Sequence, residues 1–247
     1  RGSKRWNMKK DQVPGTEYII YQDDNEFKYT TDALILSSFV KASNRIIDLG
    51  CGNGILSLRL AERFNEIHAI DINSNVLSIF KESIKVNKLE DKIKIKKRNI
   101  FDLKDDFETN YFDAVVFNPP YYNYKNIKFN NIAAKHFFDI EESLSIINYL
   151  LKNSAYLYII YPSYRLAELI YKINVAGLKV KHIINIHGNT KKEAKNSIII
   201  ARKQANFGND FRDFYIKNGE EYTDEMKKVY RNEVILWFIF AQLQLEI

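Results

Sequence analysis

The segment Asp48-Leu-Gly-Cys-Gly-Asn-Gly54 constrains the fold more than any other stretch of the chain. It follows residues 45–49, an apolar run that reads as a buried strand ending at Gly50. Residues 55–64 come next, with Leu56, Leu60 and Phe64 on one helical face. A strand must therefore become a helix within a few residues, through a loop of alternating glycines. Glycine tolerates positive φ and puts no Cβ between the backbone and a ligand, so a small molecule can lie against such a turn.

The same alternation continues downstream. Residues 67–71, 92–98, 112–118, 155–161, 178–187 and 197–202 read as strands. Between them, Asn73 or Ser74 caps a helix with Val76, Ile79, Phe80 and Ile84 as its apolar stripe, and residues 140–151 form another. Pro162 is placed to start a third, where a missing N–H costs little. Strand–helix alternation implies an α/β chain of Rossmann-like form, with helices on both faces of the sheet. The last two strands have no helix between them and should form a hairpin. The expected sheet is seven-stranded and mostly parallel, with one antiparallel strand, and ligands belong at the carboxyl ends of its strands.

The organisation expected from this pattern has three parts. Residues 1–40 form an accessory segment, residues 41–230 the main domain, and residues 231–247 an apolar tail read as a docking helix. Within the first part, residues 18–21 and 26–29 suggest a hairpin around Asp23-Asp24-Asn25, followed by a helix from Thr31 or Asp32 through Val40. Met8 reads as a natural start, so residues 1–7 are not expected to contribute to the fold.

Several classes are disfavoured. No apolar run approaches the roughly 20 residues of a membrane span, and no signal-peptide core is visible. The single cysteine, Cys51, allows no internal disulfide or multi-thiolate zinc site and fits a reducing, cytoplasmic setting. His68, His136, His182 and His187 lack metal-ligand spacing, so no metal is expected. The chain is expected to act as a monomer. Its net charge of +6 permits a polyanionic partner, although lysine is abundant throughout.

The spacing D-x-G-x-G-x-G over Asp48, Gly50, Gly52 and Gly54 resembles the first motif of class I S-adenosylmethionine methyltransferases. A carboxylate at Asp48 suits a ligand whose reactive end is cationic, whereas dinucleotide enzymes set a pyrophosphate at the helix start. Asp71, ending the second strand, can accept hydrogen bonds from both ribose hydroxyls. After the third strand, Asn99 or Asp102 stands where the family commonly carries an Asp contacting the adenine amine. Cys51 reads as a small packing residue.

Asn118-Pro-Pro-Tyr121, at the end of the fourth strand, resembles the [DNS]-P-P-[YFW] motif of amino-methylating enzymes. An exocyclic adenine amine is a poor nucleophile because its lone pair is delocalised into the ring. The Asn118 side-chain oxygen and the Pro119 carbonyl can accept its two hydrogens, and the prolines stiffen the turn. Tyr121 can stack on an extruded base. Tyr122, Tyr124, Lys125 and Lys128 continue the loop, able to stack bases and meet phosphates or merely to pack over the sheet.

Several further segments together resemble the tRNA1(Val) (adenine-37-N6)-methyltransferase family. They are Phe27-x-x-Thr-Thr-Asp-Ala-Leu34 with Gln22 before it, Tyr161-Pro-Ser-Tyr-Arg-Leu-Ala-Glu168, Lys192-Glu-Ala-Lys-Asn-Ser-Ile198 and Tyr222-Thr-Asp-Glu-x-x-Lys-x-Tyr230. The resemblance spans about residues 13–230. It implies S-adenosyl-L-methionine as cofactor, tRNA as partner and N6-methyladenosine at position 37 as product. It implies a cofactor site of Gln22, Thr31, Asp32, Asp48, Gly50, Gly52, Gly54, Asp71, Ile72, Asn99, Ile100 and Asn118. Asn118, Pro119 and Tyr121 would act on the target, with Tyr121, Tyr122, Lys125 and Arg165 toward the RNA; Arg165 could instead cap the sheet edge. His136 departs from the family pattern and reads as a surface residue. Three other readings are a glutamine methyltransferase acting on release factors, a DNA adenine methyltransferase and a non-catalytic RNA-binding module. The first usually has a helical N-terminal domain, and the second needs a target-recognition domain that is not visible. Retention of Asp48, Asp71 and Asn118 argues against the third.

Overall fold

The computed structural model describes residues 8–23, 29–119 and 139–235. At its centre lies an eight-stranded sheet built from β3 (Ser43–Leu49), β4 (Phe64–Asp71), β5 (Ile93–Lys97), β6 (Phe112–Phe117), β7 (Leu151–Pro162), β8 (Leu178–His187), β9 (Ala194–Lys203) and β10 (Asp210–Tyr215). Their spatial order is β10-β8-β9-β7-β6-β3-β4-β5. All neighbours are parallel except that β9 runs antiparallel to both β7 and β8, the hairpin expected from the missing helix.

Both faces are covered. One core joins α1 (Thr31–Ser38), α2 (Ile55–Leu60), α3 (Ser74–Val86) and α6 (Asp224–Tyr230) to the sheet through Leu34, Leu58, Phe80 and Val229. The other joins α4 (Ile140–Leu150), α5 (Leu166–Val175) and a 3-10 turn (Ile100–Asp105) through Leu144, Leu169 and Leu103. The two faces explain the near-continuous apolar character of β3: Ile46 enters the first core, Ile47 and Leu49 the second. Each such fully buried side chain contributes about 1.5–3 kcal/mol.

Three expectations are corrected. The sheet has eight strands rather than seven. The extra one, β10, pairs with β8 at the sheet edge and buries only Phe214, so it carries no apolar alternation to read. The N-terminal hairpin pairs β1 (Met8–Gln12) with β2 (Ile19–Asp23); of the expected pairing of residues 18–21 with 26–29, residues 26–28 lie outside the described residues. Strand β2 is also fastened to α3, Tyr21 N–H donating to the Ser83 hydroxyl and Ile19 N–H to Asn87 Oδ1. Helix α2 stops at Leu60, since Arg63 turns inward and Phe64 begins pairing with Ser43. Pro162 ends β7 instead of opening a helix; a 3-10 turn, Ser163–Arg165, separates it from α5. The expected tail helix lies largely outside the described residues.

Described residues before β3 contribute to the main core. Val13, Ile20 and most of α1 are buried there. Two arginines from α2 and its following turn tie this segment to the C-terminal one. Arg59, fully buried, donates to the Pro14 carbonyl at 2.5 Å, the Ser37 hydroxyl at 2.7 Å and the Val229 carbonyl at 2.7 Å. Arg63 donates to the carbonyl of Asn232 at 2.7 Å and to its side-chain oxygen at 2.9 Å. Burial pushes the Arg59 guanidinium down to about 9, with Arg63 adding to the shift. Among the described residues, no helix is long and apolar enough to cross a membrane.

Replacing Arg59 with leucine removes its hydrogen bonds to the Pro14 carbonyl, the Ser37 hydroxyl and the Val229 carbonyl, each worth about 1 kcal/mol. Arg59→Leu is expected to lower the unfolding free energy by about 2–4 kcal/mol in a urea titration and to speed proteolysis before residue 40. Unchanged stability would show that the guanidinium does not hold the two segments.

Candidate active site

Strand register assembles the site. In the parallel ladders Leu49 pairs with Ile70 of β4 and with Phe117 of β6. The next residues are therefore Gly50, Asp71 and Asn118, emerging level with one another from three adjacent strands. This is the carboxyl edge of the sheet, where helices no longer cover the strand ends.

Gly50, Gly52 and Gly54 all have positive φ, at 64°, 54° and 84°. They serve different purposes. A Cβ on Gly50 or Gly52 would meet nothing within 4 Å, so the loop borders open space. A Cβ on Gly54 would lie 2.1 Å from the Phe80 ring, so this glycine admits α3 against the start of α2. The loop is closed by Cys51 N–H donating to Ile70 O at 3.0 Å and Gly54 N–H to Cys51 O at 2.9 Å. Burial, with Asp48 and Asp71 nearby, pushes the Cys51 thiol well up, in keeping with a packing role.

Asp48 is fully buried. Its Oδ2 accepts from the Ser57 hydroxyl at 2.7 Å, while Oδ1 has no hydrogen-bond partner among the described residues. Burial pushes this carboxyl up to about 7, against the opposing pull of Ser57. Asp71 accepts the Gly52 N–H on Oδ2 at 2.9 Å and the Asn73 N–H on Oδ1 at 2.8 Å. A carboxylate has roughly four acceptor positions, so capacity for two hydroxyls remains. Ile72, next in sequence, is 47% exposed and offers an apolar surface beside it. Arg98 N–H donates to Asp71 O, which brings the turn after β5 to the same edge. There Asn99 caps the 3-10 turn by accepting from Phe101 N–H at 3.2 Å, and Ile100 packs onto the second core. Asp102 is exposed, further along that turn.

The accessory segment reaches the same edge. Gln22 accepts from Asn53 of the glycine loop at 3.5 Å and donates to Asp11 at 3.5 Å. Asp32 accepts from Asn196 at 2.8 Å, linking the start of α1, where exposed Thr31 also sits, to the start of β9. Burial raises the Asp32 carboxyl. Arg165 is committed to a fork on Glu168, at 2.8 and 2.9 Å, with its guanidinium 5.2 Å from the Tyr161 ring centre. Asn118 is half-buried and Pro119 buried. Tyr121, Tyr122, Tyr124, Lys125, Lys128 and His136 lie outside the described residues. The structure adds Ser57, Asn53 and Asn196, which the sequence did not single out. Ser57 alone carried a local signal, as a hydroxyl on an otherwise apolar turn of α2.

Solved structures share this fold. An Agrobacterium tumefaciens protein described as a predicted O-methyltransferase superposes with a TM-score of 0.66 at 17% identity, over 82% of this chain and 96% of that one. Pyrococcus horikoshii TYW2 in complex with MeSAdo gives 0.58 at 13% identity, over 82% and 72%. The fold is thus that of the class I S-adenosylmethionine-dependent methyltransferases. Residues 41–232 match the family described as "Methyltransferase domain", and the chain belongs to that family. Curated relatives include a Cytophaga hutchinsonii protein, 23% identical over 87% of this chain and 94% of its own length. A Trichodesmium erythraeum protein is 26% identical over 81% and 96%. Both are described as tRNA1(Val) (adenine(37)-N6)-methyltransferase.

The residues present fit S-adenosylmethionine. A buried carboxylate oxygen without a partner suits a cationic end, open glycines suit close approach, and Asp71 suits a ribose. A raised pKa means that the folded chain holds a proton the unfolded chain releases between about pH 4 and 7. The Asp48 contribution to stability therefore falls as pH rises through that window, and a cationic ligand offsets the loss. Affinity for S-adenosylmethionine is expected to rise between pH 6 and 8, with proton release in calorimetry across buffers of different ionisation enthalpy. Asp48→Asn is expected to weaken binding about 10- to 100-fold and to flatten the pH dependence. A slope that survives in Asp48→Asn would remove Asp48 as its source.

Proposed function

We propose that this chain methylates the exocyclic N6 amine of an adenine in tRNA, with position 37 of tRNA1(Val) as the target. One observation carries the reading: the parallel register sets Asn118 level with Gly50 and Asp71. The residue suited to a reacting amine thus stands beside the residues suited to the methyl donor. The names of the two long-range relatives support the RNA substrate and the position.

The chemistry asks little of the protein beyond placement. S-adenosylmethionine supplies an electrophilic methyl group on a cationic sulfur. The Asn118 side-chain oxygen and the Pro119 carbonyl accept the two hydrogens of the adenine amine, concentrating its lone pair on nitrogen. The fixed φ of Pro119 limits the freedom of these acceptors before the substrate arrives, so little reorganisation is needed. Transfer would form the nitrogen–methyl bond as the methyl–sulfur bond breaks, with the neutral thioether S-adenosylhomocysteine leaving and the displaced proton passing to solvent. Asp48 and Asp71 position the donor, and Gln22 and Asp32 draw the N-terminal segment over the same edge.

The test is methyl transfer to tRNA lacking the modification, followed by nucleoside mass spectrometry. N6-methyladenosine is expected with the unsubstituted protein. Asn118→Ala is expected to lower kcat about 100- to 1,000-fold while S-adenosylmethionine affinity stays unchanged, because its contacts form to the reacting amine. Methylation of a release-factor glutamine in place of tRNA would keep the chemistry and overturn the substrate. Undiminished turnover in Asn118→Ala would overturn the chemistry.

A further inference from the structure

Strand β7 runs on past its neighbour. Ile159 pairs with Phe117, and Ile160, Tyr161 and Pro162 then extend beyond the level at which β6 ends. The turn Ser163–Arg165 therefore stands at the rim of the edge that holds Gly50, Asp71 and Asn118. Two of its three side chains are braced. The Ser163 hydroxyl lies 2.9 Å from that of Ser197, which is fully buried and donates to Asn185 Oδ1 at 3.0 Å. Arg165 is forked onto Glu168, whose other partner is Lys172 at 3.0 Å.

Between these anchors Tyr164 is 78% exposed, the highest value among the large apolar and aromatic side chains of the described residues. Phe207 comes close at 76%, but it sits before β10 at the far end of the sheet, with Lys179 Nζ 4.3 Å from its ring centre. A ring held out on a braced turn is preorganised: a flat partner can stack on it with little ordering of the protein. The surroundings favour a polyanion. The turn between β8 and β9 and the first residues of β9 rise at the same edge and expose Lys191, Lys192 and Lys195 against Glu193, with Lys217, Glu220 and Glu221 on the segment hydrogen-bonded to that turn. A flat partner within a polyanion is an unpaired base of a single-stranded RNA loop.

We propose that Tyr164 is a stacking platform for an unpaired RNA base next to the methylated adenine, presented by the braced turn Ser163–Arg165. This rests on the RNA reading above and adds a substrate-binding residue to it. Tyr164→Ala is expected to raise KM for tRNA about tenfold, with kcat, S-adenosylmethionine affinity and melting temperature unchanged. Tyr164→Phe keeps the ring and is expected to restore KM. Tyr171→Ala serves as control: that tyrosine is 69% exposed but lies about 10 Å down α5 at 1.5 Å per residue, and its removal is expected to leave KM unchanged.

A readout independent of turnover uses an anticodon stem–loop with 2-aminopurine beside the target adenine. Its fluorescence is expected to be quenched by the unsubstituted protein and by Tyr164→Phe, but not by Tyr164→Ala. Quenching that persists in Tyr164→Ala, or equal loss in the Ala and Phe variants, overturns the proposal. So does a Tyr164 dependence found with a release-factor substrate and not with RNA. Tyr164-dependent quenching without methylation would instead leave the platform standing and overturn the proposed reaction.

Discussion

Two hydrogen-bond ladders on β3 are the constraint on which the rest of the molecule depends. Because β4 and β6 both run parallel to β3 and both pair with Leu49, three chain segments distant in sequence surface side by side. A slip of one residue in either ladder would turn every side chain of that strand to the other face. The buried apolar residues of β3, β4 and β6 forbid that slip. Core packing is thus what fixes the relative height of Gly50, Asp71 and Asn118.

The site carries local costs that this framework absorbs. Asp48 is buried with one oxygen unpartnered among the described residues, in a place where an apolar residue would pack without penalty. Three consecutive alternate residues adopt left-handed backbone, and one of them must be glycine to admit Phe80. Such departures from local preference cluster where ligand chemistry demands them. Asp71 shows the opposite economy, since one carboxylate both closes the loop through Gly52 N–H and keeps acceptor capacity facing outward.

Much of this was legible in the sequence, wherever a signal is local. The bounds of β8 coincide with the apolar run, and Asn73 caps α3 through Asn75 N–H as its residue type suggests. Strand–helix alternation also specified the antiparallel β9. What escaped depends on partners far along the chain. The polar strand Met8–Gln12 has no alternation of its own and pairs with β2, which is anchored on α3. Strand β10 is recruited by the open edge of β8. Within the site, the glycine loop and the residues after each strand were readable from spacing. The links Gln22–Asn53 and Asp32–Asn196 span 31 and 164 residues and leave no trace in any local pattern.

The arginines of the α2 region have a consequence for how the chain matures. Arg59 finds its Val229 carbonyl 170 residues downstream, and Arg63 its Asn232 carbonyl 169 residues downstream. At roughly 5–20 residues per second, a ribosome needs roughly 10–30 s to make that span. Until then both guanidinium groups keep water that the finished core excludes, and the last turn of α2, which carries Arg59, lacks these partners. Packing around the end of α2 is therefore completed late in biogenesis, when the segment around Val229 docks.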